Sequence, residues 1–405
     1  MIVGRPSTGA ASSGTPRSRG GPGKRGARVF MVITRLDGGA GVVALWSAVE
    51  LLARSYAVTI VAGVEGGLLE RARRAGVPTV VEPSLCRPIR PCRDLTALFR
   101  LTCLFLRERV DVVHTHTAKA GAVGRLAARL AGVPRVVHTY HGFPFHPFQP
   151  GVVRESYVRI ERLLGPLTDT VLCVGKSVTA EAVERGLVPR DRARTVGVPV
   201  SREVPRADAV TRARARRELG VSEHGLLVGA VGRLTYQKAP EDFVTALRLL
   251  SERHEVRGVW VGDGERRDSV AALARRELGE GLLLTGERED VRRLLPAFDV
   301  FVLPSRYEGL PLALVEAMWC GLPVVATAVN AVPDLVVPPD TGLLVPPERP
   351  DALAAAVAEL LGSPVLRARM GEAARRLIDE RFDLAAHCDE TERAYRLEHA
   401  EHRAK

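Results

Sequence analysis

Short apolar runs recur along the chain and are separated by longer amphipathic ones. Residues 29–34 (VFMVIT), 57–62 (AVTIVA), 79–82, 110–114, 135–140 and 169–174 are rich in β-branched side chains and barely alternate with polar ones. That pattern predicts strands covered on both faces, the habit of parallel sheets. The stretches between them, such as 42–53, place apolar residues at helical spacing, so strand and helix alternate and a doubly wound α/β sheet follows. A second series begins at 225–231 (GLLVGAV) and continues at 258–261, 281–284, 299–303, 324–327 and 342–345. From residue 349 onward the pattern is helical. Between the two series, Pro199, Pro205 and the arginine-rich run 212–217 carry no strand pattern. We therefore expect an N-terminal domain over 29–198, a linker over 199–222, a C-terminal domain over 223–383 and a terminal helix within 384–405.

Composition narrows the class. A chain of 405 residues suffices for two domains, and 46% hydrophobic residues with a mean hydropathy of +0.03 describe a globular protein. No run approaches eighteen apolar residues, and the N-terminus lacks the apolar core of a signal peptide. The six cysteines form no C-x-x-C pair, which argues against structural zinc and for reduced thiols in a cytoplasm. Six of the eleven excess positive charges lie in residues 1–28, a Gly/Ser/Pro-rich stretch without acids that reads as a disordered basic tail. Aromatics are 5% and no nucleic-acid motif accompanies the charge, so a phosphorylated substrate or a membrane surface is the expected partner rather than nucleic acid.

Candidate chemistry collects where strands end. After the run 299–303, the segment 305–318 (SRYEGLPLALVEAM) joins a glycine-containing turn to a helix start. Unsatisfied N–H groups and the helix dipole there favour a polyanion or a sugar. Glu308 in the turn and Glu316 in the helix can accept hydrogen bonds from hydroxyls; the plainer reading is an acidic turn and a helix-surface glutamate. Residues 232–238 (GRLTYQK) leave another strand end with Arg233 and Lys238, a fork and a point charge suited to a diphosphate. Glycines at Gly39, Gly232 and Gly264 let backbone approach a ligand, although tight strand–helix turns use glycine for steric reasons alone. Four histidines lie at two strand ends of the first half: His114 and His116 in VVHTHTAKAG, His138 and His141 in VVHTYHGF. Neither cluster has a carboxylate or cysteine at ligand spacing, so no metal site is expected.

The two glutamates in SRYEGLPLALVEAM, the GRLTYQK segment and the turn 262–265 (GDGE) resemble the sugar-nucleotide motifs of retaining glycosyltransferases of family 4, which have the GT-B fold. The resemblance covers nearly the whole chain after residue 28. It implies two Rossmann-like domains facing across a cleft, with the last helix crossing back to the first. Arg233 and Lys238 would then stabilise the departing diphosphate without a metal. Glu308 would bind the donor sugar, Glu316 the ribose, and His141 would line the sugar pocket. The helix start at Gly309, Leu310 and Leu312, together with Gly39, Gly232, Gly264 and the strand end at Arg288, would complete the donor site. The implied reaction moves a hexose-type sugar, with UDP as the default carrier, to an acceptor hydroxyl on a carbohydrate or a lipid-linked sugar. No carboxylate stands out in the first half as a base, which fits proton transfer to the leaving phosphate. A sugar-nucleotide 2-epimerase of the same architecture and a non-catalytic sugar-nucleotide-binding protein are the alternatives.

Two further stretches bear on the acceptor. Residues 93–109 are amphipathic and basic, either an ordinary packing helix or a membrane-surface one. Residues 142–150 (GFPFHPFQP) hold three phenylalanines in a loop, which either packs under the following helix or forms an acceptor lip. With these features the expected location is the cytoplasm, at the inner face of the cell membrane where the acceptor is lipid-linked.

Overall fold

The computed structural model of the chain describes residues 26–200 and 204–396. The basic tail expected over 1–28 lies outside these residues except for its last three. Runs rich in valine and isoleucine become strands β1 (Arg28–Ile33), β2 (Ala57–Ala62), β3 (Thr79–Val81), β4 (Val112–His116), β5 (Arg135–Tyr140) and β6 (Thr170–Cys173), and the short β7 (Ala193–Thr195) is added by its pairing to β6. They form one parallel sheet in the order β3-β2-β1-β4-β5-β6-β7. Strands β8 (Leu226–Val231), β9 (Val256–Val261), β10 (Leu282–Leu284), β11 (Val300–Leu303), β12 (Val324–Thr327) and β13 (Leu343–Val345) form a second, in the order β10-β9-β8-β11-β12-β13. It too is parallel throughout.

Helices of the first half are α1 (Gly38–Ala53), α2 (Gly67–Arg74), α3 (Pro91–Glu108), α4 (Ala118–Leu130), α5 (Gly151–Leu164) and α6 (Lys176–Glu184). Those of the second are α7 (Ala209–Leu219), α8 (Pro240–Ser251), α9 (Arg267–Leu278), α10 (Val291–Leu294), α11 (Leu312–Cys320), α12 (Pro350–Gly362), α13 (Pro364–Arg381) and α14 (Leu384–Tyr395). In each sheet the strand order reverses once, between β1 and β4 and between β8 and β11. Crevices for ligands open at such switch points, outside the strands' carboxyl ends.

Two differences from the sequence pattern have physical causes. Residues 209–219, read as linker, form α7. Asp208 and Thr211 close a capping box at its start, with Asp208 Oδ1 accepting from Thr211 N at 2.8 Å. Arg216 is buried beneath it and forks onto Asp299 (2.9 Å) and the Ala297 carbonyl (3.0 Å), tying α7 to the second sheet. Strand β4 starts two residues later than the run 110–114 suggests. Arg109 in the left-handed region (φ 51°) ends α3, and Val110 N bonds back to Phe105 O. The strand therefore reaches His116. Helix α14 packs on α1 and inserts Tyr395 into the first domain's core. Beside this crossing, Val200 N donates to Phe382 O at 3.1 Å, so the two strands of chain that join the halves run together.

Candidate functional site

The loop leaving β8 carries Arg233, which is exposed and forms no ion pair among the described residues, and Lys238, which is not free. Lys238 Nζ lies 2.6 Å from Glu308 Oε1. Because β8 and β11 are neighbours at the switch point, their following loops meet, and this pair is the meeting point. Glu308 is only 8% exposed. Its other supports are Ser305 Oγ, donating at 2.6 Å, and Asn330 Oδ1, which accepts from Glu308 N at 2.9 Å. Gln237 donates to the Tyr307 carbonyl at 3.0 Å and braces the same turn. Gly232 lies against the Lys238 stem, where an added Cβ would stand 3.3 Å from it. Gly264 lies so close to the loop that an added Cβ would sit 2.4 Å from the Leu234 carbonyl. That glycine is accounted for by loop packing.

Pro311 caps α11 in extended geometry, so the helix begins at Leu312. Glu316, one turn in, is buried against Arg292 at 2.9 Å. Burial pushes its carboxyl above the usual range, and Arg292 opposes that rise. The Arg292 guanidinium also lies 4.8 Å above the Trp46 ring on α1. Across the same gap an added Cβ on Gly39 would be 3.5 Å from Leu312 Cβ, in ordinary contact. The starts of α1 and α11 thus face each other. Leu310 is buried beside them. Arg288 is forked onto Asp290 at 2.7 and 2.6 Å, which leaves its guanidinium turned to its own loop.

The first domain meets this site through the β5 turn. An added Cβ on Gly309 would fall 1.6 Å from the His141 carbonyl, so only glycine permits the approach. His141 Nε2 is 2.9 Å from His116 Nδ1. Burial, aided by nearby His387, pushes the His141 imidazole down to about 3. His114 is satisfied on both nitrogens by Tyr395 OH (2.8 Å) and Thr139 Oγ1 (2.7 Å), and His138 Nδ1 bonds Thr115 Oγ1 at 2.8 Å. These two are structural. In the loop after them, Phe145 enters the core with Phe143 stacked on it at 4.7 Å. His146 instead stacks on Tyr307 of the other domain, 3.8 Å between centroids at 9°. One part of the loop packs and the other closes the cleft. Ser177, at the start of α6, adds a further cross-domain bond to Asp334 at 2.7 Å.

Sequence reading had not singled out Ser305, Asn330, Arg292, Trp46 or the His146–Tyr307 stack. Asn330 alone left a signal, an asparagine just past a strand end, and it takes up a positive φ of 43°. Ser305 acts on Glu308 three residues on, inside the same turn, while Arg292, Trp46 and the His146–Tyr307 stack each act on a residue distant in sequence and belong to no local pattern. Among the described residues no group of three or more His, Cys, Asp or Glu side chains is arranged to hold a metal ion.

Comparison with known proteins identifies the family. Residues 37–203 match Glycosyltransferase Family 4, and residues 211–377 match Glycosyl transferases group 1. Over 262 residues the chain is 34% identical to a UDP-Gal:alpha-D-GlcNAc-diphosphoundecaprenol alpha-1,3-galactosyltransferase of Escherichia coli; the match covers 61% of this chain and 65% of that enzyme's length. An alpha-D-kanosaminyltransferase of Streptomyces kanamyceticus is 30% identical over 313 residues, 72% of this chain and 78% of that one. Among solved structures, Anabaena HepE in complex with UDP and glucose superposes with a TM-score of 0.78 at 20% identity, covering 90% of this chain and 97% of its own. WaaG, a glycosyltransferase involved in lipopolysaccharide biosynthesis, gives 0.74 at 18%, covering 91% and 99%. Matches to both halves, on two parallel sheets that face across one cleft, show that the chain belongs to the family 4, group 1 glycosyltransferases and has the GT-B fold.

Proposed function

We propose that this glycosyltransferase moves a hexose-type sugar from a nucleoside diphosphate, UDP by default, to an acceptor hydroxyl with retention of configuration and without a metal ion. The observation that carries the reading is the Lys238–Glu308 pair beside Arg233, which forms no ion pair among the described residues, with the His141–Gly142 turn pressed against Gly309. A bound diphosphate competes with Glu308 for the Lys238 ammonium, and Arg233 adds a second cation at the same loop. The released Glu308 carboxylate then accepts hydrogen bonds from hydroxyls of the donor sugar. Glu316, held ready by Arg292, does the same for the ribose.

As the bond from the anomeric carbon to the phosphate oxygen breaks, negative charge grows on the diphosphate, where the two cations stabilise it. The acceptor oxygen bonds the anomeric carbon on the face being vacated, and its proton passes to the leaving phosphate oxygen. In support of that assignment, two carboxylates of the first domain among the described residues are already engaged. Asp37 pairs with Arg35 at 2.9 Å, and Glu82 bonds Ser84 N at 3.0 Å with Arg100 beside it.

A lipid-linked sugar is the acceptor class we favour, with work at the cytoplasmic face of a membrane. Arg87, Arg90 and Arg93 are exposed and form no ion pairs among the described residues, beside an outer face of α3 that is apolar. No helix among the described residues is long and apolar enough to cross a membrane, so contact would be peripheral. Incubation with a panel of nucleotide-sugars and acceptors, with free nucleotide, epimer and glycoside measured separately, tests the reading. Glycoside formed in step with free nucleotide supports it; a 2-epimer without glycoside, or binding without turnover, overturns it.

A further inference from the structure

His116 lies beneath His141 and is itself closed to a substrate. It is 2% exposed, its Nδ1 is 2.9 Å from His141 Nε2, and its own Nε2 is closed off with no hydrogen-bond partner among the described residues. His114 stacks against it with ring centroids 4.3 Å apart. Both rings of the His116–His141 pair are neutral, since burial holds them far below the usual imidazole range. One proton therefore sits between the two nitrogens, and two arrangements are open. If His141 donates from Nε2, His116 must carry its proton on Nε2, where it would be a buried N–H without an acceptor. If His116 donates from Nδ1, the unpartnered Nε2 is only a bare lone pair. Orphaned buried N–H groups are the rarer of the two in folded proteins.

We infer that His116 is a positioning residue, which donates from Nδ1 to His141 Nε2 and so fixes His141 as the Nδ1–H tautomer, a hydrogen-bond donor turned toward an oxygen of the transferred sugar. The backbone beside it supports this. Thr117, the next residue, has φ 65° and ψ 156°, a region ordinarily left to glycine and costly for a β-branched side chain. It is held there by a 3.0 Å hydrogen bond between the Thr34 and Thr117 hydroxyls and by Gly121 N bonding its carbonyl at 2.8 Å. Strain kept by such supports, directly after His116 and at the switch point of the first sheet, aims the imidazole at its partner. A packing role alone needs no second nitrogen 2.9 Å away.

The role for His141 rests on the reading of this cleft as the sugar-transfer site, but the tautomer does not, and it is measurable on the unliganded chain. Long-range ¹H–¹⁵N correlation spectra of the histidine side chains, with His141→Gln used to identify the His141 signals, report which nitrogen is protonated. We expect protonated Nδ1 and bare Nε2 on His141. In His116→Phe, which keeps a ring and removes the donor, that preference is lost and kcat falls about 10–100-fold, while the donor KM stays within about twofold. His116→Asn, whose amide N–H falls near the imidazole Nδ1, restores kcat to within about threefold of wild type. A proton on Nε2 of wild-type His141, or the same tautomer in His116→Phe, overturns the inference whatever the chain is found to catalyse. Wild-type kcat in His116→Phe overturns the positioning role even where the tautomer is as stated.

Discussion

Lys238 and Glu308, the two residues with most to do in the proposed transfer, neutralise each other in the unliganded cleft at 2.6 Å. Neither side chain is more than 16% exposed. Arg233, five residues from Lys238, has no such partner among the described residues. The two cations therefore differ in what their loss does to the fold. Arg233→Ala should leave stability within about 0.5 kcal/mol of wild type. Lys238→Ala leaves a buried carboxylate with one cation fewer and should cost about 1–3 kcal/mol. Both should lower kcat by about 100-fold or more if they meet the same developing charge. Thermal melts and steady-state kinetics on the two variants check this. Near-wild-type turnover in both removes the diphosphate assignment.

Four buried histidines and the half-buried His141 make stability depend on pH. Burial pushes His114 and His141 down to about 3 and His387 to about 4, with His116 and His138 also well below 6.5. Folded, these rings stay neutral; unfolded, they take up a proton near pH 6.5. The unfolded chain thus binds more protons as pH falls, and stability is lost downward through 6.5. From pH 7.5 to 5.5 each such histidine removes about 1.4 kcal/mol, so His114, His141 and His387 alone remove about 4. Urea unfolding at the two pH values should show a lower midpoint at 5.5. An unchanged midpoint would mean the rings are charged or exposed in the folded chain.

The parts of this site that were legible in the sequence are those that local pattern must encode. Arg233, Lys238 and Glu308 follow strand ends fixed by apolar runs and glycine turns, Glu316 lies one turn into the helix that comes next, and a chain read in one direction shows them. What the sequence concealed is pairing across distance. Nothing near Glu316 announces Arg292, 24 residues earlier, nor Trp46 from the other domain beneath that guanidinium. Helix α7 was hidden for a related reason: its arginine-rich run looks solvated until Asp299, 83 residues on, gives Arg216 a reason to be buried. Strand β7 (Ala-Arg-Thr) is a short edge strand with little apolar content, and only its pairing to β6 defines it.

Charge on the leaving group is met in this proposal by Arg233 and Lys238 rather than by a divalent ion. Transfer should therefore proceed at an unchanged rate in excess EDTA, with added Mg²⁺ or Mn²⁺ having little effect. Initial rates with and without chelator decide the matter. Complete loss in EDTA, restored by either ion, would transfer the charge-stabilising role from these side chains to a metal.

The outer face of α3 sets the last prediction. Ala97, Leu101 and Phe105 face the core, while Cys92, Leu95, Phe99, Cys103 and Leu106 fall at spacings of three and four along the opposite side. Phe99 is 70% and Leu95 65% exposed, with Ile89 just ahead of the helix at 72%. Arg93, Arg100 and Arg107, seven residues apart, line one border of that stripe. An apolar stripe edged by cations suits an anionic lipid surface, where the helix lies flat with its apolar residues among the headgroups. Each arginine near such a surface contributes about 1 kcal/mol, so three together correspond to roughly two orders of magnitude in affinity. Screening shortens the reach of each charge to about 8 Å at physiological ionic strength, so attachment should weaken with salt. Co-sedimentation should show binding to vesicles containing anionic lipid, little to neutral ones, and release at high salt. The Arg93→Ala, Arg100→Ala, Arg107→Ala triple variant should lose binding through the charge term, and Leu95→Ser with Phe99→Ser through the apolar one. Both keep the inward face of α3 intact, so transfer to a soluble acceptor analogue should continue at the wild-type rate. Binding that ignores lipid charge, or survives both sets of substitutions, would place the membrane contact elsewhere on the chain; no binding to either vesicle would leave α3 an ordinary solvated helix.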